Sequence, residues 1–449
     1  LRSSRLAPLA LLVLLAALCA TLAAPAALAY SVDTSPFGLE QPQLAGRTVS
    51  AIVYEGNERT RERILDRVLA IHVGDPLDAA AVEASRQAIL DTELFREVRV
   101  RVEADGAGGV RVVFWMSEKH YWVAYPKVGT NSSGDRAYGI HARFNNLFGL
   151  DHTLGLNIDQ RNYASADLGT SEEVRARYFI PGIDHSRYDV EFRGDFVSLD
   201  RVERDPFGTQ LSTYNENETG FSSIVTHWLG DRPIGHGWRL GGGFHYGQQT
   251  NDVITGSLGR DPSIRLAGLS FQATWRDMHY LVDSDTGSTF GARLEQGVPG
   301  ASDDAYQIVE LYGSRYWAVG EAEHTSLYLD GGFGLSANVD PNFVTFTFGR
   351  PNLRGVLKDV FDGDSYQYLR FGYLRPISQR HPALRYEVFM DLGRQRLSGF
   401  PDTGASNIGI GAGIRWRIRT FVKVELAFGV VYSPDTGDYL VWGGTHGLD

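Results

Sequence analysis

Three Asp-Thr-Gly tripeptides, at Asp285, Asp402 and Asp435, come nearest in this sequence to residues whose type and spacing could do catalysis. Two such aspartates in one buried site could share a proton and activate a water, because like charges in contact cannot both ionise. That chemistry needs each loop to leave an apolar strand. Here Ser284, Pro401 and Pro434 precede the aspartates, and each triplet falls between predicted strands, where Asp and Gly suit turn geometry. The twelve histidines form no H-E-x-x-H pair, and no G-x-S-x-G elbow or phosphate-binding loop is present. The repeat "GIGAGI" from Gly409 lies inside a strand pattern with no helix after it, so it relieves crowding and cradles no phosphate. The sequence thus predicts no enzyme, no cofactor and no metal site.

One charged group stands out for its setting. In "GRPNLRGVLKD", residues 349–359, Arg354 and Gly355 interrupt a segment of about thirty residues that lacks the strand alternation around it. A guanidinium offers fixed donors suited to a carboxylate, and a glycine beside it lets a loop approach a wall closely.

The elements that must position this arginine follow from composition and pattern. The 449 residues include 51 glycines and 12% aromatics, a strand-and-turn composition. A net charge of -11 leaves no basic face for nucleic acid. Residues 1–29 have a basic start at Arg2 and Arg5, an apolar run and a small-residue end "AALA", the pattern of a cleaved secretory signal peptide. Cys19, the one cysteine, would leave with it, so the mature chain is expected to hold no thiol chemistry. No later run approaches 18 apolar residues; a membrane could be crossed only by strands.

Residues 30–46 read as a linker, with two prolines and no periodicity. A strand "TVSAIVYEG" comes next, then a helix "NERTRERILDRVLA" with Thr60 as N-cap and Ile64, Val68 and Leu69 on one face. "LDAAAVEASRQAILDTELF" is a second helix capped by Asp78, and "REVRVRVEA" and "GVRVVFWMSE" are strands. Arg59, Arg61, Arg63 and Arg67 read as a solvated helix face. The order β-α-α-β-β, with "YEGN", "GDP", "DTELFREVRV" and "SEK" at its joints, resembles the POTRA domain of bacterial outer-membrane assembly and translocation proteins over residues 47–119.

From residue 120 to 449 helical periodicity gives way to sixteen predicted strands of alternating character, an even number with short turns alternating with longer polar loops such as "RVERDPFGTQLSTYNENETG". The expected fold is a sixteen-stranded antiparallel transmembrane β-barrel behind one small α/β domain. Closure lets strands enter lipid, since an open edge would leave N–H and C=O groups unpaired there.

"NNLFGLDHTLGL" and "RYFIPGI" resemble the first two periplasmic turns of the BamA/TamA-like superfamily, and "FMDLG" at 389–393 on predicted strand thirteen resembles its F-x-D-x-G motif. The resemblance implies that Arg354, in the sixth outer loop, folds into the lumen as a latch on Asp391, with Phe389, Gly355 and Gly393 shaping the contact. Two departures are plain: "YLRFGYLRP" lacks the family's acidic residue on strand twelve, and "TGDYLVW" is followed by seven further residues. The resemblance also implies an outer-membrane location, a periplasmic POTRA domain, and a monomeric barrel that receives unfolded or extended polypeptide, with membrane lipid and periplasmic accessory proteins as partners. Polypeptide insertion or secretion is the function it implies. A passive pore, or a structural or lipid-handling protein on the same fold, is the competing expectation.

Overall fold

The computed structural model describes residues 42–130, 136–163, 168–183, 186–204, 209–230, 232–258, 262–320, 324–338, 346–348, 353–354, 361–396, 405–435 and 437–446. The predicted signal peptide, most of the linker, Gly355, Asp402 and the end of the chain lie outside them.

The first unit comprises β1 (Val49–Glu55), α1 (Glu62–Asp66), α2 (Ala79–Asp91), β2 (Phe95–Ala104) and β3 (Val110–Glu118). Strand β3 is central, parallel to β1 and antiparallel to β2. Its alternate residues Val110, Val112, Phe114 and Met116 are buried with Leu65, Val82 and Ile89 of the helices, which makes this unit the main apolar core among the described residues. Asp78 caps α2 by accepting from the Ala80 amide at 3.1 Å.

The first helix is much shorter than its apolar pattern predicts, and Thr60 does not cap it. The amides of Arg59 and Thr60 donate to Glu118, that of Arg61 to the Gly149 carbonyl, and those of Ala70 and Ile71 to the Ser85 hydroxyl. Backbone groups that a longer helix would engage are taken from outside, while Val68 and Leu69 stay buried in the turn that follows.

Sixteen strands then form one antiparallel sheet. They are β4 (Trp122–Thr130), β5 (Arg136–Leu147), β6 (His152–Asn162), β7 (Leu168–Ile180), β8 (Tyr188–Arg204), β9 (Gln210–Trp228), β10 (Gly237–Gly256), β11 (Ser263–Tyr280), β12 (Asp285–Gly297), β13 (Gln307–Ala318), β14 (Ser326–Ala337), β17 (Ser365–Pro376), β18 (Leu384–Arg396), β19 (Ala405–Arg417), β20 (Glu425–Ser433) and β21 (Asp438–His446). Two short strands, β15 (Phe346–Phe348) and β16 (Phe361–Gly363), pair within the sixth outer loop.

Burial in this sheet is inverted relative to a soluble protein. On β18, Arg385, Glu387, Asp391 and Gln395 are buried, while Val388 and Met390 between them are exposed. Trp238, Leu240, Phe244 and Tyr246 on β10 and Leu269 and Phe271 on β11 likewise face outward. Apolar-out and polar-in at period two is the pattern of a barrel in lipid. Arg417 on β19 reaches Asp285 on β12 at 2.6 Å, although five strand spacings would separate them by about 24 Å in a flat sheet, so the sheet is rolled. Among the described residues no helix is long and apolar enough to cross a membrane.

Two expectations change here. The polar segment between predicted strands five and six is mostly strand: β8 and β9 pair through Arg204 and Gln210, and nineteen residues of β9 extend about 63 Å, beyond an apolar band of about 25 Å. A ladder needs no apolar side chains outside the membrane, so hydropathy alone truncates it. The triplet at Asp285 opens β12 and its carboxylate pairs with Arg417, whereas Asp435 does sit in a turn and accepts from the Ile408 amide.

The α/β unit is seated on the turns at one end of the barrel. Thr60 accepts from Asn146 and bonds Tyr121, Lys119 donates to the Tyr280 hydroxyl at 2.8 Å, and Lys423 pairs with Glu93. Arg67 is no solvated residue: it donates to the Pro181 carbonyl at 2.8 Å and faces Asp151. Gly149 and Gly182 have φ of +72° and +59°, and a Cβ at either would strike the Arg59 carbonyl or the Arg67 guanidinium. The glycines of the two turn motifs therefore both bend the chain and admit the neighbouring domain.

Candidate functional site

Arg354 belongs to the loop between β14 and β17, yet it is only 3% exposed. Its backbone amide and Nε both donate to Asp391 Oδ2 at 2.9 Å, and Nη2 donates to Asp391 Oδ1 at 2.7 Å. Nη1 donates to Glu387 Oε1 and Nη2 also to the Tyr328 hydroxyl, each at 2.7 Å. The guanidinium carbon stands 3.3 Å from the Phe389 ring centroid, and the Trp442 ring meets Phe389 edge-on at 5.6 Å. A bidentate carboxylate, a second carboxylate and an aromatic face together use the planar fork in a way lysine could not.

Strand geometry explains the receiving wall. Residues 387, 389 and 391 alternate onto the lumen face of β18, so one strand supplies acid, ring and acid in sequence. Asp391 and Glu387 are both fully buried. Glu387 is also bonded twice by Arg415 and accepts from Tyr328, which places it between two guanidiniums. Beyond it Arg415 and Arg385 pair with Glu425, and Arg370 pairs with Asp330. Charges buried this way are stable only with partners on every side.

Glycines make the space. A Cβ on Gly393 would lie 2.1 Å from Leu353, the residue before Arg354, which packs against Tyr366 and Tyr368. On β19, Cβ atoms at Gly409 and Gly411 would lie 2.6 Å from the Arg354 carbonyl and 2.4 Å from the Phe389 ring. Gly409 and Gly411 of the "GIGAGI" repeat thus form the floor under Arg354 and Phe389.

The structure brings Arg354, Phe389, Asp391 and Gly393 together; Gly355 lies outside the described residues. The second carboxylate comes from β18 itself, since β17 presents Arg370, whose Nε stands 3.9 Å from Asp391. Sequence reading missed Glu387, although it lies four residues before Asp391 and hence on the same strand face. Tyr328 and Arg415 carried no such signal: β19 pairs directly with β18 and β14 lies just beyond β17, but no motif states the register that sets them beside Glu387.

Glu387→Gln is expected to destabilise the barrel by about 3 kcal/mol, since it leaves Arg354 and Arg415 sharing a neutral acceptor in a buried site. Denaturant unfolding in detergent, followed by loss of the heat-modifiable folded band, reads this; an unchanged midpoint would remove Glu387 from the network's supports.

Residues 47–119 match the family model "POTRA: Surface antigen variable number repeat". No curated protein matches the chain. Among solved structures, it resembles CdiB from Escherichia coli with a TM-score of 0.61 at 16% identity, covering 89% of this chain and 77% of that one. CdiB from Acinetobacter baumannii follows at 0.58 and 15%, covering 89% and 73%. BamA from Haemophilus ducreyi lacking POTRA domains 1–3 gives 0.50 and 18%, covering 89% and 84%. Residues 47–119 are thus a POTRA domain, and the sixteen-stranded sheet that follows it gives the chain the fold of these CdiB and BamA structures.

Proposed function

We propose that this protein sits in a bacterial outer membrane with its POTRA domain in the periplasm, and inserts or translocates polypeptides. The observation that carries the reading is the seam. Fifteen neighbouring strand pairs hold the sheet from β4 to β21, but among the described residues no ladder joins β4 to β21. The POTRA domain meets the sheet beside the same seam, where His120 bridges to Phe421. Two terminal strands that no ladder holds together can part more easily than any other pair and let an incoming strand add beside them. The ten-residue edge strand β2 offers an extended substrate a second place for strand addition. The ion-paired lumen wall and the latch across it disfavour a wide passive pore.

Reconstituted in liposomes, the protein is expected to speed membrane insertion or passage of an unfolded outer-membrane polypeptide. Cysteines placed on β4 and β21 and joined by a thiol crosslinker should abolish the acceleration, the chain's natural Cys19 being confined to the predicted signal segment. Equal activity with the seam tied shut would reject the seam as the route. Ion conductance without any effect on polypeptide would favour the pore.

A further inference from the structure

Three side chains from three distant parts of the sequence converge where the POTRA domain meets the barrel. Asp91 ends α2, His236 lies in the turn before β10, and His279 is next to last in β11. Asp91 Oδ2 stands 3.1 Å from His236 Nε2 and 2.9 Å from His279 Nδ1, and the three ligand atoms all lie within 4.8 Å of one another.

We propose that Asp91, His236 and His279 form a binding site for a divalent transition-metal cation, zinc by its donor set, which clamps the POTRA domain to the barrel. The chemistry of the donors comes first. One carboxylate oxygen and two imidazole nitrogens, with an open fourth position, suit zinc. In a tetrahedral site with bonds of about 2.0 Å, ligand atoms are about 3.3 Å apart, so the two Asp-His separations need open by only a few tenths of an ångström. The rings of His236 and His279 lie side by side, 4.9 Å apart and 27° from parallel, so one must turn to aim its lone pair. His279 has the freedom to do so, its side chain being 40% exposed, and it leaves a path for a cation from outside.

The surroundings hold the ligands as a metal site requires. Asp91 Oδ1 accepts from the Tyr280 amide at 2.7 Å and from Gln87 at 2.8 Å, which leaves Oδ2 directed at the rings. His236 presents Nε2 to the cluster while Nδ1 faces Asp277 at 3.4 Å, the carboxylate–imidazole relay that fixes the tautomer and raises ligand basicity. Arg232, 3.9 Å from Asp277, is the one other cation in an ion pair with these groups among the described residues. Two carboxylates around two imidazoles make a place built for positive charge. A divalent cation held there would bond all three elements at once.

The test uses the full chain in detergent, stripped with chelator and titrated with zinc chloride by calorimetry, with cobalt(II) as a spectroscopic probe. Expected are one equivalent bound, tetrahedral cobalt absorption, and a thermal midpoint raised by zinc and lowered again by chelator. His279→Ala removes an accessible ligand without opening the core and should weaken binding by about tenfold or more. Asp277→Asn should weaken it less. His245→Ala, at a histidine paired with Glu295 inside the barrel, should leave it unchanged. Binding absent in the unaltered chain, or equal in His279→Ala, overturns the site and leaves an imidazole–carboxylate clamp only. Insertion activity is not needed for this readout, so failure here would not touch the proposed function.

Discussion

Arg354→Ala is expected to release the sixth outer loop from the lumen wall and to destabilise the barrel by about 3–5 kcal/mol. The deletion removes four side-chain hydrogen bonds and leaves Asp391 and Glu387, both fully buried, facing a void. Among the described residues the one cation left near Asp391 is Arg370 at 3.9 Å, beside the amide of residue 354, while Glu387 keeps Arg415 and Tyr328, so most of the penalty falls on Asp391. Leu353 would lose its anchor against Tyr366 and Tyr368, and the unplugged lumen should conduct ions more readily in planar bilayers. Arg354→Lys should recover only part of the loss, since one ammonium cannot span Asp391, Glu387 and Tyr328 together. The denaturant midpoint, bilayer conductance and insertion rate are the three measurements. A variant unchanged in all of them would mean that the latch is an ornament of the fold.

How far this site can be read without a structure follows from which contacts are local. Arg354, Phe389, Asp391 and Gly393 stand in short motifs, and period two alone puts Glu387 on the face of Asp391. Tyr328, Arg415 and Trp442 meet them through strand pairing, from β14 across β17, from β19 directly and from β21 across β20 and β19, in a register that no short window of sequence states. The strand count and most starting positions follow from alternation and turns. Strand ends do not, because β8 and β9 continue as polar hairpins where hydropathy falls silent. The domain joint is the least legible part. Thr60 and Arg67 look like a helix cap and a solvated charge, but their partners are Tyr121, Asn146 and Pro181 of the barrel. Asp91, His236 and His279 carry no motif spacing for the same reason.

Gly409→Val separates geometry from charge. It removes no ion pair, yet a Cβ at this position would lie 2.6 Å from the carbonyl oxygen of Arg354 and 3.0 Å from Val431. The first of these is backbone and cannot rotate away, so the loop tip must rise by about 0.8 Å to reach ordinary van der Waals distance. Hydrogen bonds of 2.7 to 2.9 Å to Asp391 and Glu387 would then stretch beyond useful length, because the same backbone carries Arg354. Overpacking of this kind costs about 1–3 kcal/mol, less than deleting the arginine, because the charges can partly re-form their pairs. Gly409→Val should therefore raise conductance and lower insertion in the same direction as Arg354→Ala, with a smaller fall in the denaturant midpoint. Gly155→Ala on β6 is the control, with nothing within 4 Å of its added Cβ. If Gly409→Val behaved like Gly155→Ala while Arg354→Ala did not, the arginine would matter through its charge alone, and the close seating of the loop on the glycines of β19 would have no part in the mechanism.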